Sequence, residues 1–152
     1  MKVISCGVII IDRGTQQLLA CHPSCHPFRP GNWDIPKGHV EENETHVETA
    51  LRELKEEANI ELAAEDLYDC GMFLYTRYKD LHLYVAEVDV DMSKLSCSTC
   101  FNFEGRTPLE VDDYRLISDT ETQMYYRSLG PLVAECVKRY RERDINKAYE
   151  SN

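Results

Sequence analysis

Three glutamates, Glu53, Glu56 and Glu57, fall close together in the chain. On a helix that turns about 100° per residue they lie within an arc of about 100°. Like charges so placed repel by roughly 0.2–0.5 kcal/mol per pair in an isolated helix, so something is expected to compensate them. Clustered carboxylate oxygens are the hard donors that Mg²⁺ or Mn²⁺ takes. The plainer alternative is a solvated acidic face in which Arg52 pairs with Glu56 at i+4. A second candidate ligand set is softer. Cys21 and Cys25, next to His22 and His26, and the Cys97/Cys100 pair have spacings that a structural zinc accepts. That reading gives a zinc-stabilised module that binds a nucleotide without cleaving it. Its alternative is ordinary reduced cysteine, and nothing in the sequence brings the two pairs together.

The acidic arc needs a helix to carry it, and residues 45–58 supply one. Thr45 and Glu48 make a capping box, and Val47, Ala50, Leu51, Leu54 and Ala58 recur as an apolar stripe beside the glutamates. Asn59 stands where the helix should stop, and Asn tolerates the left-handed conformation of a terminating residue. Residues 3–11 are β-branched and nearly continuous, the pattern of a strand covered on both faces. Residues 16–21 read as its hairpin partner across Arg13, Gly14 and Thr15.

The stretch 22–38, with prolines at 23, 27, 30 and 36, reads as a long loop of the kind usually kept for function. Residues 69–78 and 81–90 read as strands about a tight turn at Lys79 and Asp80, and residues 91–108 as a loop. Residues 114–117 read as a further short strand. Leu129, Leu132, Val133, Cys136, Val137 and Tyr140 repeat helically, so a C-terminal helix is expected to pack on the sheet, with the last residues frayed. The sum is a single domain over residues 1–152 with an α/β or α+β layer structure.

Composition narrows the partners. The chain is 43% hydrophobic and 29% charged, ordinary for a globular domain, and no apolar run is long enough to span a bilayer. The N-terminal apolar stretch has no small-residue cleavage site and is interrupted by Asp12 and Arg13, so it reads as a strand and not a signal peptide. Acidic residues number 27 against 17 basic, a net charge of −10, which opposes sequence-independent contacts with nucleic acid. A small phosphate-bearing ligand stays open, given a metal ion or a few placed cations. Seven cysteines, an odd count without a secretory leader, point to reduced thiols and a cytoplasmic setting.

Gly38, Glu44 and the run from Arg52 through Glu53, Leu54, Glu56, Glu57 and Asn59 to Ile60 resemble the Nudix hydrolase signature. The spacing fits without insertion, and only Asn59 departs, standing where the family has Gly. The resemblance implies an α/β/α sandwich with a mixed sheet. It also implies hydrolysis of pyrophosphate linkages in nucleoside diphosphate derivatives by water attack on phosphorus.

Under that resemblance Glu53, Glu57 and Glu56 hold Mg²⁺ or Mn²⁺, the Gly38 carbonyl completes the shell, and Arg52 orients Glu53 and Glu44. Residues 33–39 are similar to a segment of dinucleoside polyphosphate hydrolases and RNA 5′-pyrophosphohydrolases. Lys37 there is a phosphate contact or a solvated lysine, and His39 contacts phosphate or packs. Trp33 is expected in the core. Phe28, Tyr75, Tyr78, Tyr84 and Tyr114 are candidates to stack a base, although most of them belong in the core. Glu110, ahead of Asp112 and Asp113, is the expected further acidic ligand or base. Dinucleoside polyphosphates and ADP-ribose-like compounds are the first substrates implied and the RNA 5′ end the second, with monomer and homodimer both open.

Overall fold

The computed structural model describes residues 2–150, with side chains as far as Asp144. Strand β1 (Val3–Asp12) is buried from Ser5 onward, as its unbroken apolar pattern requires. Its side chains alternate between two cores. Ile9 and Ile11 join the core that helix α2 (Gly130–Glu150) closes with Val133, Cys136 and Val137. Cys6, Val8 and Ile10 join the core that helix α1 (His46–Ala58) closes with Ala50, Leu54 and Ala58. Between the helices lies a mixed sheet in the order β4 (Tyr68–Thr76), β5 (Lys79–Val88), β1, β2 (Leu18–Pro23), β6 (Val111–Ile117), with β1 parallel to β5 and the remaining pairs antiparallel. The α/β/α sandwich expected from the sequence is the observed architecture. No described helix is long and apolar enough to cross a membrane.

One irregularity of the sheet creates the site. Strands β1 and β2 (Leu18–Pro23) are in register only at Ile11 and Leu18 and then part. Residues 33–39 fill the gap. Asp34 exchanges two backbone hydrogen bonds with Cys21 of β2, both at 2.8 Å, and β3 (Lys37–His39) pairs with Ser5, Cys6 and Gly7 of β1. The proline-rich stretch 22–38 therefore ends inside a strand, a correction to its reading as loop throughout. Gly7 permits the close approach, since a Cβ there would sit 2.8 Å from that of Lys37.

Strands β4 (Tyr68–Thr76) and β5 (Lys79–Val88) form the expected hairpin, but its turn is at Arg77 and Tyr78. Lys79 and Asp80 are strand residues because β5 starts alongside β1, with Val3 opposite Lys79 and the Lys2 ammonium 3.0 Å from Asp80. Strand β6 (Val111–Ile117) starts three residues earlier than expected, because its whole length pairs with β2. Helix α1 begins with both capping-box bonds between Thr45 and Glu48, each 3.2 Å, and ends on Asn59 in the left-handed region (φ 59°, ψ 34°). Helix α2 runs through Glu150, and the expected fraying of the last residues lies outside the described side chains.

Candidate active site

Glu53 and Glu57 flank the apolar stripe of α1, so packing of Ala50, Leu54 and Ala58 on the sheet carries both carboxylates inward; they are 9% and 7% exposed. They straddle the start of β3. The Lys37 N–H donates to Glu57 Oε2 at 2.8 Å, and the Glu53 carboxylate lies directly over Gly38. A Cβ on Gly38 would come within 2.1 Å of Glu53 Oε1, so this glycine is required by close approach. The Arg52 guanidinium organises the surroundings. It donates to both Glu44 oxygens at 2.7 and 3.1 Å, to Glu53 at 2.8 Å, to Glu56 at 3.2 Å and to the His39 carbonyl at 3.2 Å. One cation thus ties three carboxylates to β3.

The charges follow from these contacts. Hydrogen bonds from Arg52 hold Glu44 down to about 2, with the Thr49 hydroxyl as a further donor. Burial raises Glu53 against the opposing effect of Arg52, and burial followed by the Glu53 carboxylate holds Glu57 far above the usual carboxylate range. Two buried carboxylates that repel each other suit a divalent cation better than they suit each other. Among the described residues no three His, Cys, Asp or Glu side chains form a closed cage. Mg²⁺ needs none, since it commonly binds through one or two carboxylates and completes its shell with water and phosphate oxygens. Glu53 and Glu57 fit that description, with Glu56 half-exposed and turned toward Arg52.

The strand register bears on the Gly38 carbonyl, the expected backbone donor. Val8 N donates to the Pro36 carbonyl and Val40 N to the Ile4 carbonyl, which gives Gly38, opposite Cys6, backbone groups that face β1. The Gly38 carbonyl is therefore directed into the ladder and away from the carboxylates. Lys37, whose N–H meets Glu57, is the residue whose backbone faces the carboxylate side.

Outside the pair opens a cleft of about 320 Å³ lined by Glu57, Lys37, Asp34, His26, Phe101 and Glu110, among others. Glu110 thus joins the same cleft as Glu57, held by backbone bonds to Ser24 and Thr99. Lys37 points its ammonium to Asp34 Oδ2 at 2.8 Å. Burial opposes that charge, but Asp34 outweighs it and keeps Lys37 above its ordinary value. Lys79 is held below its ordinary value by burial and then by Lys37, and exposed His39 by burial and then by both lysines.

Beside the cleft is a broader groove of about 740 Å³ lined by Gly31, Tyr75, Tyr126, Arg127 and Ser128. The ring centroids of His26 and Tyr126 are 6.3 Å apart where the two spaces meet. The other aromatic candidates are employed elsewhere. Trp33 is in the core and Tyr84 is buried, Tyr114 donates to the Glu57 carbonyl at 2.5 Å, Phe28 stacks on His22 at 3.7 Å, and Tyr78 occupies the hairpin turn. Cys21 is buried under α1 while Cys25 and Cys100 are exposed, so the two cysteine pairs do not assemble as one site among the described residues. Sequence reasoning missed Lys79, assigned to a turn, and Tyr126 and Phe101, which lie in segments without periodicity. Asp34 carried a usable signal, since it sits three residues before a lysine in a stretch already under suspicion.

A family model described as the NUDIX domain matches residues 1–118. An uncharacterized 17.7 kDa protein of Enterobacteria phage T4 is 30% identical over 131 residues, covering 81% of this chain and 87% of its own. Among solved structures, the fold resembles a C. elegans Ap4A hydrolase binary complex (TM-score 0.63, 22% identity, 90% of this chain and 98% of that one). It also resembles the NUDIX domain of Shewanella oneidensis NrtR complexed with ADP ribose (0.68, 17%, 92% and 88%). A MutT/nudix family protein from Enterococcus faecalis is longer; the match spans 76% of this chain and 43% of that one (0.58, 19%). With the signature residues gathered at one split in the sheet and the family model covering most of the chain, the protein belongs to the Nudix hydrolase family.

Proposed function

We propose that this Nudix pyrophosphohydrolase acts on dinucleoside polyphosphates, splitting a phosphoric anhydride between two nucleosides. The observation that carries the reading is that the acidic cleft adjoins a tyrosine-lined groove. Lys37, Glu57 and Phe101 line one cleft, and His26 of that cleft meets Tyr126, which with Tyr75 lines the adjoining groove. Aromatic faces take bases and ammonium groups take phosphates, so aromatic residues in both spaces, with Lys37 and the acidic pair at the cleft, suit a ligand with a base at each end of a phosphate chain. ADP-ribose-like compounds, with one base, use only part of this arrangement. The net charge of −10 disfavours the RNA 5′ end.

In this reading Lys37 and Lys79 bind phosphate oxygens, and Asp34 keeps Lys37 charged and aimed. Arg52, braced by Glu44, fixes the Glu53 carboxylate, and the Lys37 N–H fixes that of Glu57. A divalent cation, Mg²⁺ or Mn²⁺, held by Glu53 and Glu57 with Glu56 beside them, supplies charge neutralisation on the non-bridging phosphate oxygens. Glu110, across the cleft, serves as a further ligand or holds the proton of the attacking water. The reduced cysteines accord with a cytoplasmic setting. A panel of Ap4A, ADP-ribose, FAD, NADH, dGTP and triphosphorylated RNA at equal concentration, with products separated chromatographically, tests the assignment. Ap4A should give the highest kcat/KM, and preference for ADP-ribose or RNA would overturn the substrate while leaving the reaction class.

A further inference from the structure

The first turn of α1 is joined to the sheet by a chain of side chains that the catalytic arrangement does not use. His46, the first residue of α1, places its Nδ1 2.7 Å from Nδ1 of His82 on β5, with ring planes at 85°. His82 Nε2 lies 2.7 Å from Asp69 Oδ1 on β4, and its ring stacks on Tyr84 with centroids 4.5 Å apart. Asp69 carboxylate can only accept, so His82 Nε2 carries a proton. Between two Nδ1 atoms at 2.7 Å there is room for one proton, donated by one ring to the lone pair of the other.

We infer that the His46–His82–Asp69 chain is a proton-counting latch that positions the N-terminal turn of α1, and hence the helix that bears Glu53 and Glu57. The latch closes in two protonation states. In the neutral state His46 Nδ1–H donates to the His82 lone pair. In the singly charged state His46 Nε2 gains a proton and the shared proton passes to His82 Nδ1, so the charge rests on His82 beside Asp69 and the shared hydrogen bond survives. A second added proton puts N–H on both facing nitrogens, and the contact becomes repulsive.

The surroundings weigh on the same side. Asp69 stabilises one positive charge, on His82. His46 stands at the positive end of the α1 dipole, which opposes a second. Among the described residues the ring partners of the pair are each other, Asp69 and Tyr84. Cys6 of β1, opposite His82, is a thiol pushed up to about 12 by burial and then by Glu44. The Tyr84 phenol is raised by burial, and Asp80 is paired with Lys2. Opening under acid would let the start of α1 lift from β5, so the latch sets an acid limit separate from the titration of the site's carboxylates.

The test compares the wild type with His46→Asn, whose amide replaces Nδ1 in the contact and cannot charge. Imidazole ¹H–¹⁵N correlation spectra should give one of the two facing Nδ1 nuclei a protonated shift and the other a lone-pair shift at pH 7.5, with both reaching the protonated value on acidification. Between pH 7.5 and 5.5 the wild type should lose about five-fold more kcat/KM than His46→Asn, the worth of roughly one hydrogen bond. Its melting temperature should also fall about 3 °C further. The activity arm rests on the proposed hydrolysis, whereas the spectra and melting curves do not. Lone-pair shifts at both Nδ1 atoms, or parallel acid profiles for the two proteins, would overturn the latch. Shifts of both rings on adding Zn²⁺ at one equivalent would instead assign the pair to a metal.

Discussion

Replacing Gly38 with alanine tests the contact on which the carboxylate arrangement depends. Gly38 is a strand residue without positive φ, so alanine adds no backbone strain. The added Cβ would meet Glu53 Oε1 at 2.1 Å and its carboxyl carbon at 2.2 Å. Ordinary contact is longer by more than about 1 Å, so the carboxylate must swing away and release its 2.8 Å bond from Arg52. A displacement of that size at reacting groups costs about 10²-fold in rate. Overpacking costs roughly 1–3 kcal/mol of stability, and the low end applies because the atom that yields is the end of a side chain beside an open cleft. The assay is kcat/KM for Ap4A at saturating Mn²⁺ with a melting curve for each protein. The decisive arm is a cycle with Glu53→Ala. Removing the carboxylate removes the clash, so Gly38→Ala should destabilise the wild type and leave Glu53→Ala unchanged. Equal destabilisation in both backgrounds, or a wild-type rate for Gly38→Ala, would refute the role given to this contact.

Asn59→Gly keeps the left-handed cap but loses side-chain bonds with Lys55 and the Lys94 carbonyl, a cost of at most about 1 kcal/mol, whereas Asn59→Val should cost about 1–2 kcal/mol more; melting temperatures in that order check it. Glu44 has its folded pKa lowered from 4.5 to about 2, so it adds stability above about 4.5 that is lost as pH falls toward 2. The melting temperatures of the wild type and Glu44→Gln should therefore differ at pH 6 and converge near pH 2. Arg52→Lys cannot serve Glu44, Glu53 and Glu56 together and should lower kcat by about 10-fold or more with intact folding by circular dichroism. EDTA should abolish hydrolysis, Mg²⁺ or Mn²⁺ should restore it, and Ca²⁺ should support little turnover because its looser geometry spoils in-line attack.

Regular elements were legible in the sequence to the extent that one short-range rule governed them. The capping box and the left-handed Asn59 follow from a few neighbouring residues and appear as expected, and of the stripe Ala50, Leu54 and Ala58 enter the core with Val47 at its edge, while Leu51 stays outside it. The unbroken apolar run of β1 foretold a strand covered on both faces, and Ile9 and Ile10 do enter opposite cores. The hairpin turn was misplaced because the polarity of Lys79 and Asp80 is compensated at long range, by β1 and Lys2. Strand β3 was hidden because three residues among prolines carry no period, and its partner is decided by the parting of β1 from β2. The carboxylates were legible from spacing; the cleft facing them was not. Phe101 reaches it and Tyr126 lines the groove beside it, each from a separate segment, and only the assembled sheet brings them to the side of Lys37 and Glu57.

Steady-state hydrolysis of Ap4A at saturating Mg²⁺ by the wild type, Glu53→Gln, Glu57→Gln and Glu48→Gln probes the central claim most directly. Glutamine keeps the shape and removes the charge. Losing either buried carboxylate should lower kcat by about 10²–10⁴, roughly 3–5 kcal/mol, with stability unchanged or slightly higher as repulsion is relieved. Glu48→Gln, confined to the capping box, should turn over nearly normally with a small loss of stability. Wild-type kcat in both Glu53→Gln and Glu57→Gln would contradict the account and leave the pair a buried feature of the fold without a part in the chemistry.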